Sequence, residues 1–137
     1  RGLGLCNPIE YIPSMELPDE EYPMKMMTGR VLYHYNACAM TDKTEGLNEI
    51  SGHSFIEINT EDAERIGIKD GDRVKVSSRR GSIETTANVS GKTNPGEGWM
   101  PCHFLDGGAN WLTSDALDSI SSTPEYKVCA VKIENTK

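Results

Sequence analysis

Short segments in which apolar and polar residues alternate recur along the middle of the chain. Phe55–Ile58, Arg73–Ser77 and Ser82–Val89 each place every second side chain on one apolar face. This period of two is typical of a strand with one buried face. Three further segments are predicted as strands from their apolar and aromatic content: Tyr22–Met27, Trp99–Phe104 and Lys127–Ile133. The pattern therefore predicts about six short strands.

One short helix is predicted between the first two alternating segments. Asn59 or Thr60 is suited to cap the N-terminus of a helix over Glu61–Ile66, and Gly67 is suited to end it. A second short helix is compatible with Ser114–Ile120. Because strands and helices do not alternate regularly, the pattern disfavours a doubly wound sheet. We expect a mostly β fold, a compact and mainly antiparallel barrel with one or two short helices.

Three positions are predicted to lie at an edge or in solvent. Pro101 interrupts the strand predicted over Trp99–Phe104, so that strand should lie at an edge or bend there. Arg79 and Arg80 fall in the turn between two predicted strands, where a solvated charge is the default expectation.

The first part of the chain differs from the rest. Residues 1–21 contain three prolines and a cluster of acidic side chains, and they show no strand or helix pattern. We expect these residues to form an extended interdomain lead-in, and residues 22–137 to form the folded domain. The first residue is Arg1, so the sequence is expected to be a fragment or a processed product.

Composition narrows the function classes. The net charge of −7 argues against a general nucleic-acid binder, which would carry a basic face, but it leaves room for a locally positive anion site. No segment approaches the roughly 18–20 apolar residues of a membrane span, and no signal-peptide pattern is present. The four cysteines form no C-x-x-C pair, so we expect free, mostly buried thiols, no metal site and a cytoplasmic protein.

The segment Thr28–Thr41, TGRVLYHYNACAMT, concentrates the candidate chemistry. It follows an apolar run and combines a Gly-Arg turn with three rings, which suits a flat, anionic, polar ligand. Two other segments could contribute: Gly107–Thr113, with small residues beside Asn110, and Pro124–Lys127, with a ring beside a cation.

The residues alone leave the histidines open and show no catalytic set. His34 and His103 could each contact a ligand or serve a structural role, whereas His53, in a Gly-flanked polar loop, is expected at the surface. Neither a nucleophile paired with a base nor a phosphate-binding glycine motif is present. The residues on their own indicate a ligand-binding β-domain without its own bond-making chemistry.

Four segments, in this order, resemble the C-terminal dinucleotide-binding domain of the molybdopterin oxidoreductase family: TGRVLYHYNACAMT, INTEDAERIGIKDGDRVKVSSRRGSIETTANV, GGANWLTSDALD and TPEYKVCAVKIE. The resemblance covers about residues 22–134 and is strongest to the catalytic (alpha) subunit of molybdenum- or tungsten-dependent formate dehydrogenase. It implies a double-psi β-barrel that holds bis(molybdopterin guanine dinucleotide).

The resemblance also implies the residues that contact this cofactor. Matching motif positions are Thr28, Gly29, Arg30, Val31, Leu32, Tyr33, His34, Tyr35, Thr41, His103, Asn110, Thr113, Tyr126 and Lys127. No catalytic or metal-ligating residue is assigned to this chain. The sequence departs from the family pattern at Asp42, where relatives often carry a basic residue, so no phosphate contact is expected there.

The resemblance implies partners as well. The metal ligand, the catalytic residues and an iron–sulfur cluster would lie in the remaining domains of a parent subunit, which would pass electrons to further subunits. Neither nucleic acid nor membrane insertion is expected. Two alternatives stay open: a small separate subunit such as that of formylmethanofuran dehydrogenase, and a non-catalytic double-psi barrel adaptor domain.

Overall fold

Six strands form the frame of the protein in a computed structural model that describes residues 2–136. Their bounds are Met24–Gly29 (β1), Phe55–Asn59 (β2), Arg73–Ser77 (β3), Ser82–Ser90 (β4), Glu97–Pro101 (β5) and Val128–Asn135 (β6). They close into a barrel in the order β1-β5-β2-β4-β3-β6. The pairs β1–β5 and β2–β4 are parallel, and the other four pairs are antiparallel. The closed six-stranded barrel confirms the predicted β fold and is the double-psi β-barrel that the family resemblance implies.

The alternating segments pack their apolar face into the barrel. Val74 and Val76 of β3 are fully buried, and they alternate along the strand with more exposed residues. Ile83, Thr85 and Ala87 of β4 do the same. The largest fully buried apolar side chains are those of Met24, Met26, Ile56, Ile58, Val74, Val76, Met100, Leu112 and Val131. Burial of this apolar surface is the main contribution to the stability of the barrel.

The first and fifth strands are shifted from their predicted bounds. β1 begins at Met24, two residues later than predicted, and Tyr22 is only half-buried. β5 covers Glu97–Pro101, so the prediction of a strand running on to Phe104 was wrong. The edge position was also wrong, because β5 lies between β1 and β2 in a closed barrel. Pro101 is the last residue of β5, and the N–H of the next residue, Cys102, donates to Gly29 O of β1 at 2.9 Å.

One of the two predicted helices forms, and one further helix was not predicted. A helix at Thr60–Ile66 (α2) lies where it was predicted; the Asn59 side chain accepts a hydrogen bond from Glu61 N–H at 2.9 Å, and Gly67 ends it in the left-handed conformation. A second helix, Glu45–Ser51 (α1), was not predicted; it buries no residue, so no apolar stripe announces it. Short 3₁₀ turns lie at Thr41–Lys43 and Ala109–Trp111.

The helix suggested over Ser114–Ile120 does not form. The Ser114 hydroxyl accepts a hydrogen bond from Ala116 N–H at 3.1 Å. The Asp118 carboxylate accepts hydrogen bonds from Ile120 N–H and Ser121 N–H at 3.1 and 2.7 Å. Serine and aspartate side chains that bond nearby backbone groups in this way compete with helix formation, which explains the wrong prediction.

The turn between β3 and β4 is less exposed than predicted. Residues 2–23 form neither helix nor strand, but the Glu16 side chain within them lies against the barrel. Arg80 forms an ion pair with Glu16, and its side chain is only 23% exposed, so the prediction of a solvated Arg80 was wrong. Arg79 is more exposed and pairs with Asp19. Within residues 2–136, no helix is long and apolar enough to cross a membrane.

Candidate functional site

Three separate parts of the chain meet at one end of the barrel because of the strand directions. β1 and β5 run parallel, with Gly29 opposite Pro101, so the segments that follow them begin side by side. β6 runs antiparallel to β1, with Met27 opposite Val128, so the segment that precedes β6 lies at the same end. The loop after β1, the segment after β5 and the segment before β6 therefore share this end.

These segments enclose a cavity of about 370 Å³, which we call the nucleotide-sized cavity. Its lining residues are Arg30, Asn36, Ala37, Cys102, Asn110, Thr113, Pro124 and Tyr126. Four of them were predicted as ligand contacts, namely Arg30, Asn110, Thr113 and Tyr126. The other four were missed, although each lies within three residues of a predicted position in the same segment. Three of these four lie inside the candidate segments Thr28–Thr41 and Pro124–Lys127, and Cys102 directly precedes His103.

The cavity has the charge of an anion site. Among the described residues, none that lines it carries a carboxylate, although the chain as a whole has a net charge of −7. Within residues 2–136, the exposed Arg30 guanidinium makes no hydrogen bond or ion pair, so its five donors remain available. Asn110 adds an amide that can both donate and accept. A planar polar ligand with a phosphate fits this donor set.

Thr28 holds the segment before β6, which forms one side of the cavity, in place. Its hydroxyl donates to Tyr126 O at 2.7 Å, and its N–H donates to Lys127 O at 3.1 Å. The Lys127 ammonium lies 5.1 Å from the centre of the Tyr126 ring and 3.5 Å from Thr28 O. Thr28 itself is buried. It thus positions a ring and a cation beside the cavity rather than facing the cavity itself.

His103 is buried and holds the loop after β1 from inside the protein. Its side chain is 1% exposed. Nε2 accepts a hydrogen bond from Val31 N–H at 2.9 Å, and the opposite nitrogen, Nδ1, donates to Asn36 O. Both bonds require a neutral ring with its proton on Nδ1. Since both ring nitrogens are occupied, the structure gives His103 a positioning role in the loop, and direct contact with a ligand stays a prediction.

His34 is held in the same manner. Its Nδ1 accepts from the Thr41 hydroxyl at 3.0 Å, and its Nε2 donates to Ser51 O at 2.5 Å. These bonds tie the loop to the last residue of α1. The Phe104 ring packs edge-on against both histidines, with ring centres 5.3 Å from His34 and 6.3 Å from His103. The hydrogen bonds of two buried imidazoles therefore hold this loop, which contains no helix or strand, in a fixed conformation.

The remaining predicted contacts lie outside the cavity. Leu32, Tyr33 and Tyr35 point outward on the loop, and Leu32 is 90% exposed. Val31 is half-buried and Thr41 bonds His34. Gly29 packs against an indole, because a Cβ added there would lie 2.6 Å from Trp99 Nε1. Their contact with a ligand stays a prediction.

A second and larger cleft of about 1,070 Å³ lies on the other side of the loop. None of the predicted contact residues lines it. Its charged lining consists of Asp42, Glu84 and Asp106 against Arg73, and Arg73 already pairs with Glu84 at 3.4 Å. The exposed His53 also lies there, as expected for a surface residue. An acidic lining suits an anion poorly, so we favour the smaller cavity as the site despite its size.

The structure shows no metal centre of its own in the part that it describes. Within residues 2–136, no group of three or more His, Cys, Asp or Glu side chains is placed to hold a metal ion. All four cysteines are free, and Cys38 and Cys129 are buried. Burial, together with the charge of Glu16, raises the pKa of the Cys129 thiol to about 12. That thiol is therefore a packing group and not a nucleophile.

Comparison with known proteins identifies the family to which the chain is similar. Residues 24–130 match the family described as the Molydopterin dinucleotide binding domain. The chain is 46% identical over 133 residues to the F420-dependent formate dehydrogenase 2 subunit alpha of Methanococcus maripaludis, covering 97% of this chain and 20% of that protein. It is 43% identical over 123 residues to a nitrate reductase of Symbiobacterium thermophilum, covering 87% of this chain and 16% of that protein.

The fold recurs in a solved structure of low sequence identity. Acetylene hydratase from Pelobacter acetylenicus superimposes with a TM-score of 0.73 at 15% identity, over 83% of this chain and 18% of that one. At such identity the likeness concerns the fold alone. The chain spans about a fifth or less of the length of each of these relatives.

Proposed function

This chain belongs to the molybdopterin dinucleotide-binding domain family, and we propose that its nucleotide-sized cavity binds the guanine nucleotide end of bis(molybdopterin guanine dinucleotide). The observation that carries the proposal is the acid-free cavity, in which Arg30, Asn110 and Tyr126 meet from three separate segments. The cavity also lies at the end of the barrel where the predicted motifs converge.

The residues present fit this group chemically. The Arg30 fork matches the oxygens of a phosphate, and the Asn110 amide matches a purine edge, which presents both donors and acceptors. Tyr126 and Lys127 add a ring and a cation beside the same space. A volume of about 370 Å³ lies at the small end of the range for ligand sites, roughly 300–1,000 Å³. It suits the nucleotide portion, and other domains would enclose the rest of the cofactor.

For the parent protein we propose the activity of a formate dehydrogenase, the oxidation of formate to carbon dioxide with release of one proton and two electrons, or the reverse. The identity of 46% to a formate dehydrogenase alpha subunit supports it. The metal–pterin group, with molybdenum or tungsten, supplies the two-electron chemistry when bound. This domain's residues bind and orient it, and iron–sulfur and electron-transfer partners belong to other parts of the assembly. The free thiols favour a reducing, cytoplasmic compartment.

The nucleotide site is tested by NMR titration of the isotope-labelled chain with GDP. We expect weak binding, because other domains would supply half of the pocket, with shifts centred on Asn110, Tyr126 and Lys127. CDP should give smaller shifts because its base lacks the purine edge. Arg30→Ala should weaken the response, whereas Arg73→Ala, which changes an arginine of the larger cleft, should not.

Two results would contradict the proposal. One is a set of GDP shifts confined to His53 and the acidic lead-in. The other is an equal GDP affinity in the Arg30→Ala and Arg73→Ala variants. In the full-length parent, Arg30→Ala should lower cofactor occupancy while the barrel stays folded, and normal occupancy would remove the proposed phosphate contact.

A further inference from the structure

Arg80 connects the lead-in to the backbone of a cavity wall. It lies in the turn between β3 and β4, and its Nη2 donates to Leu112 O at 2.6 Å. Leu112 is fully buried and stands between Asn110 and Thr113, which line the nucleotide-sized cavity. The guanidinium therefore fixes the carbonyl at the centre of this wall.

Glu16 holds Arg80 in that position. The carboxylate accepts from both terminal nitrogens of Arg80, one of them at 2.9 Å, and also from Ala130 N–H of β6 at 2.7 Å. Its side chain is 12% exposed, so the pair is shielded from water. Burial acts to raise the pKa of Glu16, but the hydrogen bonds from Arg80 and Ala130 and the charge of Arg80 outweigh it and hold the pKa below its ordinary value.

The lead-in contacts the opposite wall as well. Met15 N–H, next to Glu16, donates to the Glu125 carboxylate at 3.1 Å. Glu125 lies between Pro124 and Tyr126, both of which line the cavity. Met15 is thus bonded directly to the segment before β6, and Glu16 is linked through Arg80 to the segment after β5.

From these contacts we infer that Glu16 and Arg80 are positioning residues for the nucleotide-sized cavity, acting through Leu112 O on the wall that carries Asn110 and Thr113. The inference rests on the proposed function, because it states what the attachment does for nucleotide binding. Neither residue lines the cavity itself. Their effect is on the geometry of the wall, and a small misplacement of a binding group is enough to weaken a ligand contact.

Arg79 provides a matched control. It is the neighbouring residue, of the same type, and it also contacts the lead-in: it pairs with Asp19, lies 3.6 Å from Glu16 Oε1 and stacks over the Tyr22 ring at 4.8 Å. It makes no hydrogen bond with Leu112 O. Arg79→Lys therefore disturbs the lead-in without touching the wall.

The test compares Glu16→Gln, Arg80→Lys, their double variant and Arg79→Lys in the full 137-residue chain. A lysine at position 80 keeps the charge but cannot bond the carboxylate twice and Leu112 O at once. We expect faster amide hydrogen exchange at Trp111 and Leu112 in the first three variants. Exchange at Ile68, which caps α2 by bonding Ala63 O at 2.8 Å, should stay unchanged.

GDP binding gives the second readout. We expect the two single variants to bind GDP about twofold to tenfold more weakly, the range of one lost hydrogen bond. The double variant should match the singles rather than multiply their effects, because the two residues act as one unit. Arg79→Lys should bind GDP like the unaltered chain.

The possible negative results distinguish a failure of this inference from a failure of the proposed function. Unchanged exchange at Trp111 and Leu112 in Glu16→Gln and Arg80→Lys overturns the inference and leaves the proposed function standing. Faster exchange with unaltered GDP affinity overturns the positioning role, as does an equal loss of affinity in Arg79→Lys. Absence of GDP binding at Asn110 and Tyr126 in the unaltered chain overturns the proposed function, and the inference falls with it.

Discussion

The barrel wall and the loop that follows β1 are built from different interactions. The wall consists of paired strands whose inner side chains are buried and mostly apolar. The loop, Arg30–Met40, contains no helix or strand and exposes most of its side chains. It is fixed by four hydrogen bonds of two buried histidines. Two of its residues, Asn36 and Cys38, adopt left-handed backbone conformations with φ of 48° and 60°.

This difference separates stability from binding. Many small apolar contacts hold the wall, so a truncation there removes stability and leaves the site intact until the chain unfolds. A few buried polar bonds hold the loop, so a single substitution can move the loop while the barrel persists. The following predictions would break or sharpen this comparison.

The largest effect is expected in the wall. Ile58, fully buried on β2, when changed to Ala should lower the free energy of unfolding by about 2–5 kcal/mol. Ile50→Ala on the exposed face of α1 should change it by no more than about 0.5 kcal/mol. Urea denaturation of both variants measures the difference, and similar losses would show that the barrel interior does not dominate stability.

A smaller effect is expected where a histidine holds the loop. His103→Phe should leave Val31 N–H without its partner, at a cost of about 1–3 kcal/mol, whereas Asn36, which also loses its bond, is exposed and its carbonyl can bond water. We expect NMR shifts along the loop and loss of the GDP response, with the barrel strands unaltered. His53→Phe, an exposed histidine, is the control. Global unfolding of the His103→Phe variant would contradict the separation of loop and wall.

The Glu16 attachment should show in the pH dependence of stability. Its pKa in the folded chain lies below the ordinary value of 4.5. The stabilisation is thus complete above about pH 4.5 and is lost as the pH falls through the lower folded-state pKa. Unfolding curves of Glu16→Gln should lack this part of the acid dependence, and identical curves would refute it.

The smallest effect concerns thiol reactivity, which needs no change in stability. Alkylation at pH 8 should label the exposed Cys6 first and the buried Cys129 last, because burial raises the Cys129 pKa to about 12. Cys102 lines the nucleotide-sized cavity, so GDP should slow its labelling. Mass spectrometry of the labelled peptides measures all three rates. If GDP does not change the labelling rate of Cys102, the nucleotide binds elsewhere.

Local signals in the sequence account for much of the fold. Alternation located β2, β3 and β4 to within one residue at each end. In β3 and β4 the reason is burial on one face, which imposes a period of two, whereas in β2 Glu57 and Asn59 on the other face are buried as well. The Asn59 cap and Gly67 located α2 for the same local reason. The missed helix α1 has no buried residue and no side-chain cap, so it left no such signal.

Sequence motifs likewise identified the segments that line the site. They did not show how these segments come together in the fold. The sequence by itself determined the approximate positions of the six strands, one helix and the segments that carry Arg30, Asn110 and Tyr126. Only the tertiary structure decided that these three residues line one cavity. It also decided that the ring nitrogens of both histidines form hydrogen bonds that hold the loop, and that Arg80 forms an ion pair with Glu16. Glu16 and Arg80 are 64 residues apart. Contacts over such separations depend on which strands pair and in which direction, and that pairing leaves no periodic trace along the chain.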